Sequence, residues 1–146
     1  MKNAAHILQS KPHATVYSVT PETSMFDAIS LMAEKNIGAL LVLDGPTIRG
    51  IVSERDYARK IILAGRSSRE TPVGDVMSSP VMYVSPTAST QECMALMTGK
   101  RLRHLPVMED GKLLGLISIG DLVKDIISEQ SFIIEQLQHY ISGRPA

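Results

Sequence analysis

Cysteine is almost missing from this chain: Cys93 stands alone among 146 residues. No internal disulfide can form, and the usage fits a reducing compartment, the cytoplasm by expectation. The neighbouring "CMALM" reads as a buried helix face, which makes Cys93 core. Net charge is missing as well, fifteen basic against fifteen acidic residues giving +0. That balance leaves no long-range field to draw nucleic acid or an anionic membrane, although a local basic pocket stays possible. Long apolar runs are absent too. The longest is "IGALLVL" at 37–43, far short of the ~20 residues a membrane-spanning helix needs. The opening "MKNAAHILQSKPHA" lacks the apolar core of a secretory signal. His6, His13, His104 and His139 show no metal-ligand spacing. No Ser–His–acid order or glycine-rich phosphate loop occurs, so neither an enzyme nor a metal site is expected.

What the chain does have is ordinary globular composition, 44% apolar and 21% charged, and a repeat. "GIVSERDYARK" at 50–60 returns as "GLISIGDLVKD" at 115–125, with Gly50, Ser53 and Asp56 meeting Gly115, Ser118 and Asp121. At a constant offset of 65 and without gaps, residues 16–62 lie over 81–127, and fourteen of the forty-seven pairs are identical. Val19, Pro21, Ser24, Leu31, Met32, Lys35, Leu40 and Val42 meet Val84, Pro86, Ser89, Leu96, Met97, Lys100, Leu105 and Val107. The chain is a tandem duplication.

Each copy parses alike. "TVYSVTP" and "VMYVSP" alternate apolar with polar and stop at proline, which suits a strand end. Met25, Ala28, Met32 and Cys93, Leu96, Met97 then follow helical spacing. Ser24 with Asp27, and Ser89 with Glu92, set a capping box at each start. Two β-rich runs joined by "DGPT" or "EDGK" read as a hairpin, and a second helix closes the copy. The fold class is α/β, two strand–helix–strand–strand–helix (β-α-β-β-α) repeats. One such unit alone buries too little surface, so two are expected to pack about a pseudo-twofold axis. The expected divisions are 1–65, the first repeat with a short N-terminal helix leading into it; 66–78, a linker; 79–128, the second repeat; and 129–146, a C-terminal helix and tail. The apolar stripe Ile126, Ile127, Phe132, Ile133, Ile134, Leu137, Tyr140 and Ile141 is too broad for a solvated tail and is expected to pack on the module or on a second chain.

Ser-x-x-Asp ahead of an apolar helix has two compatible readings. One is a capping box, serine on a backbone N–H and the acid reaching back. The other is a ligand site: a strand ending at a helix N-terminus presents unpaired N–H groups and the positive dipole end to a phosphate. The aspartate can then accept from a ribose diol, and Arg55 can pair with phosphate.

The ordered, duplicated set of "VTP" and "VSP", the Ala-Ile-x-Leu-Met type helix, "IGALLV" and "RHLPV", and Gly-h-h-Ser-x-x-Asp (h apolar) resembles a tandem pair of cystathionine β-synthase (CBS) domains, a Bateman module. "VGDVMSSPVMYVSP" is similar to the entry into a second such repeat, and the resemblance spans about residues 10–128. It implies a disc-like α/β module binding AMP, ADP, ATP or NAD(H), and after these S-adenosylmethionine, in clefts between repeats. It carries the ribose role to Asp56 and Asp121. The phosphate-facing role carries to Ser53 with Arg55 and to Ser118 with Gly120, beside the apolar Ile51 and Ile117. Cleft-lining positions become Ile37, Gly38 and Ala39 in copy one and Leu102, Arg103 and His104 in copy two. The base-cradling stretch becomes Ala14, Thr15, Val16 and Ser18, and Ser79, Pro80, Val81 and Tyr83. Because the copies differ at these positions, two non-equivalent sites are expected. The resemblance also implies a homodimer and a regulated protein in another chain. The competing reading is a constitutive interaction scaffold in which Ser-x-x-Asp only caps helices.

Overall fold

The two β-rich runs of each repeat become a hairpin here, and runs at helical spacing become the helices that cover them. The computed structural model describes residues 2–11 and 15–142. Chain order is α1 (Ala4–Ser10), β1 (Ser18–Val19), α2 (Met25–Lys35), β2 (Ala39–Asp44), β3 (Thr47–Ser53) and α3 (Glu54–Asp56). A π-helical turn (Tyr57–Ile62) and a 3-10 turn (Val73–Asp75) follow, then α4 (Thr90–Lys100), β4 (His104–Glu109), β5 (Lys112–Ser118) and α5 (Ile119–Ser142). The chain divides into two compact units: Thr15–Met82, and the segment before Thr15 together with Tyr83 onward.

In the first unit β1 runs parallel to β2, and β2 antiparallel to β3, with Ala39 opposite Ser53. Met25, Ala28 and Met32 of α2 pack with Leu40, Val42, Val52 and Ile61. The second unit repeats the hairpin, with His104 opposite Ser118. The expected first strand shrinks there to one bridge, Val84 to Val107. The reason lies in one residue: β1 places Ser18 opposite Leu41, whose counterpart is Pro106, which has no N–H for the ladder.

Ser24 accepts from the Asp27 N–H at 3.1 Å and Ser89 from the Glu92 N–H at 3.0 Å. These are the serine halves of the expected boxes; the full reciprocal box forms at the second helix of each repeat, described below. In the first repeat that helix widens after Asp56 into the π turn and stops before Gly65, which has φ 68°. Its counterpart α5 stays α-helical for 24 residues, as the apolar stripe predicts.

The segments outside the repeats hold a correction. Chain order places the N-terminal helix with the first repeat, yet it completes the second. Ala4 and Ile7 are buried in the core formed with Cys93, Met97, Leu105, Ile117 and Leu122. Backbone bonds from Ala4 to Ala88 and from Ala5 to Pro86 tie it there. The linker behaves reciprocally and is part of the first unit: Val73 and Val76 join that core, and Thr71, Val73 and Ser78 bond Met25, Thr23 and Ile51. Each repeat is thus completed by the segment preceding the other repeat's first strand.

The recurrent glycine admits these segments. A Cβ on Gly50 would lie 2.6 Å from Met77 Sδ and 2.9 Å from the Ser78 carbonyl oxygen, and one on Gly115 2.6 Å from Leu8 Cδ2. Gly50→Ala is therefore expected to destabilise by ~1–3 kcal/mol, which thermal unfolding reads at roughly 2–4 °C per kcal/mol. Gly115→Ala should cost less, because the Leu8 tip can swing aside whereas a paired backbone carbonyl cannot. Unchanged melting of Gly50→Ala would contradict the close approach.

Candidate functional site

Strand β3 enters α3 without a loop, so Ser53 is both the last strand residue and the N-cap. Its hydroxyl accepts from the Asp56 N–H at 3.2 Å, and its own N–H donates to Asp56 Oδ2 at 2.9 Å. The hydroxyl also donates to Oδ2 at 3.1 Å. The Glu54 N–H is spent on the Gly38 carbonyl at 3.0 Å. Lys60, one turn on, donates to Asp56 Oδ1 at 3.1 Å and to the Val76 carbonyl at 2.8 Å.

The second repeat reproduces the box. Ser118 N–H meets Asp121 Oδ2 at 2.8 Å, and the Asp121 N–H meets the Ser118 hydroxyl at 3.1 Å. The Ile119 N–H is taken by the Arg103 carbonyl at 2.8 Å. The lysine here comes from the N-terminal segment: Lys11 Nζ lies 2.9 Å from Asp121 Oδ2 and 2.7 Å from the Leu116 carbonyl oxygen. One turn along α5, buried Asp125 pairs with Lys2 at 3.0 Å. Lys2, Lys11, Asp121, Asp125 and Lys124 share a groove between α1 and α5 of about 230 Å³.

Each hairpin therefore gathers its share of the sequence-predicted residues at one end. Gly38, Ala39, Ile51, Ser53, Arg55 and Asp56 gather in the first repeat; Arg103, His104, Ser118, Gly120 and Asp121 gather in the second. Arg55 and Arg103 are exposed, whereas Ala39 and Ile117 are buried. Ile37 and Leu102 pack against their cores. Arg101, one residue ahead, is the left-handed C-cap of α4. Thr15 and Ser18 are exposed and Val16 half-buried, and Ser18 sits opposite Leu41. Ala14 falls outside the described residues. Ser79, Pro80 and Val81, read as leading into the second repeat, belong to the first unit, because Ser78 pairs with Ile51. Tyr83 belongs to the second unit and is exposed. Sequence reasoning missed the lysines: Lys60 carries a local signal, four residues after Asp56, but Lys11 is 105 positions from its carbonyl partner. Among the described residues no cluster of three His, Cys, Asp or Glu is placed to hold a metal, and no helix is long and apolar enough to cross a membrane.

A family model described as "CBS domain" matches twice, over residues 5–63 and 73–128. The chain belongs to the CBS-domain family. A curated CBS-domain relative, CBSX3 of Arabidopsis thaliana, described as mitochondrial, is 40% identical over 129 residues. The match covers 85% of this chain but only 63% of that protein. Among solved structures, a CBS-domain protein from Burkholderia ambifaria MC40-6 superposes with TM-score 0.85 at 59% identity, over 88% of this chain and 96% of that one. CBSX2, solved in complex with AMP, superposes with TM-score 0.72 at 26% identity, over 89% and 99%.

The second CBS repeat has the stronger electrostatic signature. Burial pushes the Asp121 carboxyl up, but the Ser118 N–H and the Lys11 ammonium outweigh it and hold the group below the ordinary carboxylate value. Burial pushes His104 below its ordinary 6.5, Lys11 and Arg103 add to the effect, and Asp121 opposes it. A histidine held neutral in the fold binds fewer protons than in the unfolded chain. Its stabilising contribution is complete above pH 6.5 and is lost as pH falls from there through the lower folded value. The melting temperature should therefore fall between pH 7 and pH 5, a window above the titration of Asp121, and His104→Asn should flatten that fall. Parallel pH profiles for the two proteins would contradict it.

Proposed function

We propose that this chain is a regulatory CBS pair that binds an adenine nucleotide (AMP, ADP, ATP or NAD(H)) and signals to a partner protein, rather than catalysing a reaction. The observation that carries the reading is the AMP complex of CBSX2, whose fold this chain shares over nearly the full length of that protein. The local chemistry supports it. In each repeat a carboxylate stands beside a strand-to-helix turn, oriented by a backbone N–H, where a ribose diol could be accepted. An ionised acceptor makes such bonds worth ~1.5–3 kcal/mol. Calorimetric titration of ligand-stripped protein with AMP, ADP, ATP, NAD, NADH and S-adenosylmethionine tests it. Micromolar binding is expected, and Asp121→Ala should weaken it roughly ten- to a hundredfold.

A scaffold without ligand is the second reading, favoured by the completed capping boxes and by the lysine on each aspartate. Silence across the panel, with Asp121→Ala merely less stable, would establish it. Under either reading the lone, buried Cys93 fits a reducing compartment such as the cytoplasm.

The same proposal includes a homodimer. Helix α5 leaves Ile127, Phe132, Ile133, Ile134, Leu137 and Ile141 at least half exposed, an apolar stripe that a second chain would cover. Light scattering at micromolar concentration should give twice the 15.9 kDa chain mass; a monomer would contradict the dimer.

A further inference from the structure

The two aspartates carry the same cap but not the same second partner. In the first repeat Asp56 Oδ2 takes both the N–H and the hydroxyl of Ser53. Oδ1 takes the Lys60 ammonium, which the Val76 carbonyl holds in place from the other side. Both oxygens are engaged, and only 13% of the side chain is exposed. In the second repeat the residue equivalent to Lys60 is Asp125, and Lys124, three residues after Asp121 on the same helix, lines the groove beside it but forms no ion pair with it among the described residues. Asp125 is turned instead to Lys2. The lysine that Asp121 does have, Lys11, lands on Oδ2, the oxygen already holding the Ser118 N–H. Among the described residues nothing bonds Oδ1, and 22% of the side chain is exposed.

We infer that Asp121 alone accepts the nucleotide ribose and that Lys60 closes Asp56, so that the chain binds one nucleotide rather than two. The inference rests on the reading of these aspartates as ribose acceptors. A ribose hydroxyl approaching Asp56 must compete at Oδ1 with an ammonium that the Val76 carbonyl holds beside it. At Asp121 it meets Oδ1, which has no bonded partner among the described residues, on a carboxylate whose other oxygen Lys11 holds. Lys60 is thus a specificity-determining residue through occlusion, and Lys11 a positioning residue.

AMP is the probe, titrated calorimetrically into the full chain and into Asp56→Asn, Asp121→Asn, Lys60→Met and the Asp56→Asn/Lys60→Met pair. Lys60→Met leaves the cap untouched, so it keeps the question answerable if an aspartate variant melts. Expected are one binding event per chain, affinity within about twofold in Asp56→Asn, and a loss of tenfold or more in Asp121→Asn. Lys60→Met should gain a second event that the pair lacks. Two equal events in the unaltered chain, or a single event lost with Asp56→Asn, would overturn the inference while leaving nucleotide binding intact. Lys60→Met without a second event would overturn the occlusion. Absence of AMP binding in the unaltered chain, and of every other nucleotide in the panel above, would overturn the underlying reading along with the inference.

Discussion

One hydrogen bond recurs at the point where each repeat turns from sheet to helix: a backbone N–H given to an aspartate three residues ahead. Ser53 gives it to Asp56 at 2.9 Å and Ser118 to Asp121 at 2.8 Å. It allows the strand to become a helix without an intervening loop, because a donor that would be orphaned there has a charged acceptor. The same bond holds the carboxylate at the hairpin end, where the next N–H goes to the Gly38 carbonyl in one repeat and to the Arg103 carbonyl in the other. Structure and chemistry share a residue here. A carboxylate has two oxygens, and the cap needs one.

Around that turn the duplicated units are finished by borrowed segments. A unit of this size has too little interior of its own. Val73 and Val76 supply the missing apolar side chains in the first, Ala4 and Ile7 in the second. The glycine three residues before each serine is the contact point, since Met77 and Leu8 lie where its Cβ would be. One borrowed segment also brings charge to its site. The N-terminal segment delivers Lys11 and Lys2 to two aspartates of α5, whereas the first repeat finds its lysine one turn along its own helix. Duplication kept the cap and let the counter-ions diverge.

How much of this was legible in the sequence follows from distance along the chain. The Ser-x-x-Asp boxes, the hairpins and the helix extending past Ile126 are set by neighbours within a few residues, and periodicity reveals them. The shortened first strand of the second repeat was legible in principle, because Pro106 stands where the ladder needs an N–H, but the repeat's regularity hid it. Which repeat the N-terminal helix joins was not legible. Ala4, Ile7 and Leu8 have helical spacing that suits either core, and only the three-dimensional approach to Gly115 decides. Lys11 was invisible for the same reason, whereas Lys60 lay within reach of the i,i+4 rule.

The measurement that bears most directly on the shared carboxylate is a crystal structure of the chain grown with AMP. Dual use of Asp121 predicts ribose hydroxyls bonded to its Oδ1 while Ser118 N–H stays on Oδ2 and Lys11 stays paired. AMP bound away from Asp121, or bound there only after the cap has opened, would contradict it.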